Sequence, residues 1–158
     1  MDRYHWLLVF HMAGALLLLG GAVFAGILNA AALRRERPSE IAVLYRLARI
    51  AVTAISVGLP LVLVFGIWLV ADLDFVKWSQ TWVILALVGW ALAGALGGAG
   101  GKREKETRLL AERLAAEGDA PSPELQARMR DPLTLVLSWG SGVVVLGILA
   151  LMIWKPGH

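Results

Sequence analysis

Residues 4–33 read YHWLLVFHMAGALLLLGGAVFAGILNAAAL, thirty positions without a charged side chain. A helix crosses the hydrocarbon core of a bilayer with about 20 apolar residues, so this segment spans a membrane with length to spare. A cleaved signal peptide has an apolar region of about 7–15 residues and a small-residue cleavage site, and neither fits here. Only Arg3 precedes the run as a cation, and an arginine cluster follows it, so the helix is expected to be retained.

Three more blocks of the same kind follow, at 46–71, 78–99 and 132–154, leaving 100–131 as the one long connection. The chain of 158 residues is 58% hydrophobic with a mean hydropathy of +0.69, against about 45–50% for globular domains. The expected fold is all-α: one transmembrane domain of four helices, with no room for a soluble catalytic domain. The sequence has no cysteine, which excludes disulfides, zinc–thiolate sites, iron–sulfur clusters and covalently attached c-type haem.

The cations are distributed unevenly. Arg34, Arg35, Arg37, Arg46 and Arg49 fall in or beside the first connection, and Lys102, Arg103, Lys105, Arg108, Arg113, Arg128 and Arg130 in the third. Only Arg3, Lys77 and Lys155 lie at the opposite ends of the spans. Short loops rich in Lys and Arg stay in the cytoplasm, so both termini are expected outside and the first and third connections inside. The net charge of +3 follows from this bias and from attraction to anionic lipid headgroups; nucleic acid is not an expected partner. Trp6, Trp78, Trp82, Trp139 and Trp154 fall near span ends, as interfacial anchors do, while Trp68 and Trp90 lie deeper and are expected to pack between helices.

In RRERPSEIAVLYRLAR (34–49), a turn at Pro38 and an N-cap at Ser39 would start a helix running straight into the second span. The short connection DLDFVKW (72–78) makes spans two and three antiparallel neighbours. The long connection begins GGAGG (97–101), read as a hinge, followed by an amphipathic helix over about 102–117 with Leu109, Leu110 and Leu114 at helical spacing. GDAPSP (118–123) breaks that helix, and a short one follows over 123–130. A basic amphipathic helix beside a membrane binds lipid headgroups or a partner; the simpler expectation is that it packs under its own bundle.

Inside the spans the notable residue is His11. At 100° per residue, Gly14, Ala15, Leu18, Ala22, Ala25 and Asn29 share its face, whereas His5 points about 120° away toward the interface. Small stripes let helix backbones approach closely, and polar side chains bond across helices for about 0.6 kcal/mol each. Thr53, Ser56 and Pro60 in span two, Gly94 to Gly98 in span three, and Thr134, Ser138 and Ser141 in span four are candidate partners of this kind. None of the twelve Asp and Glu residues falls within a span, which argues against an autonomous proton-coupled transporter. His11 is either a hydrogen-bonded packing residue or the axial ligand of a haem b, which would be five-coordinate or take Met152 or the His11 of a second subunit as second ligand.

The segments FHMAGALLLLGG (10–21), RRERPSEIAVLYRLAR (34–49), VFGIWL (64–69), WVILALVGWALAGALGG (82–98), LAAEGDAPS (114–122) and LMIWKPG (151–157) together resemble a bacterial family of four-helix integral membrane proteins, domain of unknown function 2269. The resemblance lies in their order and spacing and covers nearly the whole chain. It implies the fold and a place in the bacterial cytoplasmic (inner) membrane, and no activity. The chain is more distantly similar to the copper-resistance D proteins and the HemJ-type protoporphyrinogen oxidases, where a span-one histidine corresponding to His11 is associated, in the HemJ type, with haem. The HemJ type carries a lysine a few residues after a span-three Trp. After Trp82 this chain reads VILALV (83–88), with Ala86 near that place, so the similarity implies a haem site and not the oxidase activity.

The expected function is that of a small non-enzymatic membrane protein, a binding or accessory subunit working as a homo-oligomer or in a larger membrane complex. Its contact surfaces would be the small-residue faces of spans one and three. A haem protein of electron transfer or sensing is the second expectation, and a small-solute or metal transporter the third.

Overall fold

The computed structural model describes residues 3–73 and 76–155. The described residues form five helices and no strand: α1 (Arg3–Ala32), α2 (Pro38–Asp72), α3 (Thr81–Ala116), α4 (Pro123–Met129) and α5 (Pro132–Trp154). α1, α2, α3 and α5 are long and apolar enough to cross a membrane. α1 packs along α2 and α3 along α5; the two hairpins meet through α2 and α3, and α1 touches α5 only lightly.

Most large apolar side chains on these helices point outward, among them Leu16, Val143 and Ile153. In lipid such residues are already solvated, so helix association must come from close packing and hydrogen bonds. The α1–α2 seam is built that way. A Cβ placed on Gly58 would lie 2.7 Å from the Gly14 carbonyl oxygen, and one on Gly14 would lie 2.9 Å from the Val62 nitrogen. One placed on Gly21 would lie 2.9 Å from the Ala51 carbonyl oxygen. The two backbones are therefore in direct contact at these glycines, and no other residue fits there without moving a helix.

The seam on α1 runs Leu7, His11, Gly14, Leu18, Gly21, Leu28 and Ala32, all buried. These residues follow the 3.5-residue repeat of paired helices. A straight 3.6-residue count centred on His11 selects Ala22 instead, because the two periods drift apart by about 20° per heptad. In the structure Gly21 is buried in the seam and Ala22 is half-buried beside it.

α3 and α5 pack less tightly. A Cβ on Gly89 would reach Ile148 Cγ1 at 2.8 Å, but Gly97 and Gly100 stand at ordinary contact distance from Ser141 and Leu137. The expected hinge at 97–101 is absent: α3 continues as one helix to Ala116. Gly100 is buried against α5, and packing there outweighs the roughly 1 kcal/mol by which a mid-helix glycine disfavours helix.

At the arginine-rich end, α2 and α3 run beyond their apolar stretches and α4 folds against them. Ala32, Ile41, Ala42, Tyr45, Ala111, Leu125 and Met129 form a buried cluster there, with Leu110 and Leu114 packed against it. This cap is a small hydrophobic core with a basic surface, and the continuation of α3 is part of the bundle's own packing.

The start of α2 also departs from expectation. Ser39 is not its N-cap; Arg37 takes that position and Pro38 the first turn. Ser39 instead donates its backbone N–H to Asp119 Oδ1 (2.7 Å) and its hydroxyl to Asp119 Oδ2 (2.6 Å). Helix N-termini carry unpaired N–H groups and partial positive charge, and here a carboxylate from the far side of the cap serves them. Gly118 and Asp119 both take positive φ, 130° and 57°, which aims that carboxylate back at α2. The Ser39 hydroxyl and backbone N–H hold Asp119 below the usual carboxylate range, with Arg37 nearby adding to the effect.

At the opposite end polar contacts join the helices of each hairpin. Arg3 pairs with Asp72 across α1 and α2, and the Lys155 ammonium sits 5.7 Å from the Trp82 ring centre across α5 and α3.

Two outcomes follow for stability. Gly58→Ala should destabilise the detergent-solubilised protein by about 1–3 kcal/mol, the usual range for overpacking. Gly98→Ala, where a Cβ meets nothing within 4 Å, should be neutral or stabilising by up to about 1 kcal/mol; equal melting temperatures for the two variants would contradict the seam. Because the folded pKa of Asp119 is depressed, its contribution is full above the unfolded value of about 3.9 and lost as pH falls through the lower folded value. The melting-temperature difference between Asp119→Ala and the parent should therefore be constant from pH 7 to about 5 and shrink below about pH 4.

Candidate functional site

His11 sits in the α1–α2 seam, one turn before Gly14, and is buried. Its Nδ1 lies 3.1 Å from the carbonyl oxygen of Val62. A carbonyl can only accept, so Nδ1 carries the proton and donates, leaving the Nε2 lone pair as the ring's basic site. A Cβ placed on Gly66 would come within 3.1 Å of the ring carbon Cε1 and 3.2 Å of Nδ1. Gly66 is thus the recess that accepts the imidazole.

A second side chain bonds α2 from the other side: Trp90 Nε1 donates to the Leu59 carbonyl oxygen at 2.9 Å. Leu59 and Val62 bracket Pro60, which lies inside α2 and disturbs the local helix ladder by its missing N–H. The two donors, from α1 and α3, therefore grip α2 around its proline. Trp90 packs between helices as expected. Trp68 does not: it is 48% exposed, facing the surroundings of the bundle.

Fixing Nδ1 on a carbonyl is also how proteins orient a metal-ligating imidazole, so the fit of a haem has to be tested. Below His11 the α1 and α2 backbones touch at Gly14 and Gly58, and beside the ring Gly66 closes the seam. The seam therefore leaves no room for a macrocycle on the Nδ1 side of the ring, where α2 is packed. Met152 lies on α5, which packs on α3, whereas the contacts described for His11 are to Val62 and Gly66 of α2. Among the described residues no group of three or more His, Cys, Asp or Glu is placed to hold a metal ion.

A polar junction links three helices nearer the cap. Glu104 of α3 accepts from Asn29 Nδ2 of α1 at 2.8 Å and from the Ser138 hydroxyl of α5 at 3.4 Å. Asn29 is buried, and its Oδ1 has no partner among the described residues. Next to it Arg103 donates to Asp131 Oδ2 (2.8 Å) and Thr134 Oγ1 (3.2 Å). Asp131 in turn caps α5 by accepting the Thr134 N–H at 3.1 Å. Asn29 and Ser138 thus meet through a carboxylate that sequence reading left outside the bundle. The signal was there once 97–101 is read as helix, since Glu104 follows Gly97 and Gly100 by seven and four residues and shares their α5-facing side.

The other small and polar positions separate. Gly14 lies in the seam, and Gly94 makes ordinary contact with Leu59 of α2. Gly98 faces open space. Thr53 and Ser56 are exposed and donate to carbonyls one turn back in their own helix, Arg49 at 2.9 Å and Val52 at 2.8 Å. They bond no neighbouring helix, because the α2 face turned to α1 carries Ala51, Gly58 and Leu69 instead.

A family model described as "Predicted integral membrane protein (DUF2269)" matches residues 5–156, and the chain belongs to that family. No curated protein and no solved structure matches it.

The geometry of His11 sets an expected spectrum. Protein purified from haem-replete cells should show no Soret band, oxidised or dithionite-reduced, and His11→Ala should lower stability by about 1–3 kcal/mol through loss of a buried bond and its packing. A Soret band that disappears in His11→Ala would instead make His11 a haem ligand.

Proposed function

We propose that this member of the family is a non-enzymatic binding or accessory protein of the bacterial cytoplasmic (inner) membrane, working as a homo-oligomer or as a subunit of a larger membrane complex. The observation that supports this reading is where the polar groups go. His11, Trp90, Asn29 and Ser138 each bond another helix of the same chain. Acid–base or nucleophilic catalysis needs a positioned base beside a reacting group, and these groups are engaged in holding helices together. By contrast the arginine-rich end carries a buried core of its own, a rigid platform of the kind a partner can dock on.

In this reading both termini face outward and the cap faces the cytoplasm, as the excess of Lys and Arg on that side favours. The α1 small-residue face is taken up by α2, so contacts with other subunits fall to the exposed α3 surface around Gly98 and to the cap.

The chain has no cysteine, so single introduced cysteines report without background. Arg113→Cys in the cap should react with a membrane-impermeant maleimide only after lysis, and Trp154→Cys in intact cells; the reverse pattern would overturn the orientation. Amine cross-linking in native membranes through Lys102 and Lys105 should give species larger than the 17.0 kDa chain. A monomer alone at native expression would contradict the assembly.

A further inference from the structure

A cleft of about 360 Å³ opens between α2 and α3 at the base of the cap. Three cations line it, Arg49 from α2 and Lys105 and Arg108 from α3, with the buried Tyr45 beside them. Neither Arg49 nor Lys105 forms an ion pair among the described residues. Arg108, with its side chain 16% exposed, is held by Glu112 at 2.9 Å. The one carboxylate in the lining, Glu104, accepts from Asn29 and Ser138 through its Oε1. The cleft thus presents three cations, Arg49, Lys105 and Arg108, against one carboxylate.

Its depth suggests what it holds. On α2, Arg49 is the last charged residue before an uncharged run to Ala71; on α3, Lys102 is the first after an uncharged run from Thr81. The cations therefore stand where both helices leave the hydrocarbon, and the remaining wall, Ala48, Val52, Thr53 and Gly101, is apolar except for the Thr53 hydroxyl, which is bonded to the Arg49 carbonyl oxygen. A phosphate at headgroup depth meets the cations there, and the apolar wall continues toward the acyl chains. Basic pockets between transmembrane helices at this level suit anionic headgroups.

We propose that this α2–α3 cleft is a binding site for the phosphate of an anionic glycerophospholipid. Arg49 and Lys105 supply its open cations, and Arg108 supplies an oriented guanidinium. The same phosphate chemistry would attract a free anion; the apolar wall favours the lipid.

Native mass spectrometry of the full chain in mild detergent, titrated with phosphatidylglycerol, phosphatidylcholine or inorganic phosphate, tests this. Phosphatidylglycerol should bind and phosphatidylcholine at the same concentration should not. The triple variant Arg49→Ala, Lys105→Ala, Arg108→Ala should lose about tenfold or more in affinity, and an equal charge change outside the cleft, Lys102→Ala, Arg113→Ala, Arg130→Ala, about twofold or less. Gly101→Leu keeps every charge, and because a Cβ there meets nothing within 4 Å, its side chain should fill the cleft and abolish binding without harming the fold. Equal losses in the two triple variants, or full affinity in Gly101→Leu, would reduce the effect to general surface charge and overturn the site. Inorganic phosphate binding as tightly as the lipid would overturn the lipid assignment. If the cleft triple does not fold, Arg49→Gln with Gly101→Leu decides by the same criteria.

Discussion

The contact between α1 and α2 at Gly14 and Gly58 is the constraint on which the rest of the bundle depends. Within a bilayer there is no water to drive apolar helix faces together, so two helices stay paired only where their atoms fit closely or bond. The missing side chains at Gly14, Gly21 and Gly58 let one backbone rest on the other. That close approach brings His11 within bonding distance of the Val62 carbonyl. The recess at Gly66, the imidazole and the glycine contacts are parts of one seam, and the seam fixes where α2 stands for α3 to pack on.

Inside the apolar layer the two hairpins meet through a small buried cluster of Leu18, Ala93 and Val145, with Ile55 and Leu59 packed against it, and through the Trp90 bond to Leu59. Their union is completed at the arginine-rich end. There the cap core gathers residues from α1, α2, α3 and α4, and Asp119 closes the start of α2. Glu104 ties α1, α3 and α5 at the boundary between cap and bundle. A carboxylate is tolerable there because two donors and the polar end of the bundle compensate it, whereas the same group a few turns deeper would be costly. The division of labour is physical: packing without water organises the apolar layer, and ordinary hydrophobic burial with charge pairing organises the cap.

This division also bears on chemistry. A lone intramembrane imidazole invites a functional reading; here its Nδ1 proton is committed to a backbone carbonyl of α2 and its ring is seated on Gly66, which ties α1 to α2. Two cations without an ion pair among the described residues, Arg49 and Lys105, lie at the membrane boundary, where recognition of anions is electrostatically favoured.

The sequence by itself determined the number of spanning helices, the family, the expected orientation and the importance of the His11 face, because uncharged stretches of bilayer length and the distribution of cations are one-dimensional properties. It also made His11, Gly14, Asn29 and Ser138 candidates for inward-facing positions. Only the tertiary structure decided their partners. Whether the small-residue face of α1 meets another subunit or α2 depends on a close approach that no single helix encodes. Gly21 replaces Ala22 in the seam because paired helices follow a 3.5-residue repeat. The run at 97–101 stays helical because α5 supports it, which carries Glu104 to Asn29. Thr53 and Ser56 turn outward because α2 gives its other face to α1. Local composition sets what each helix can do; the neighbours it acquires on folding set which of those possibilities is used.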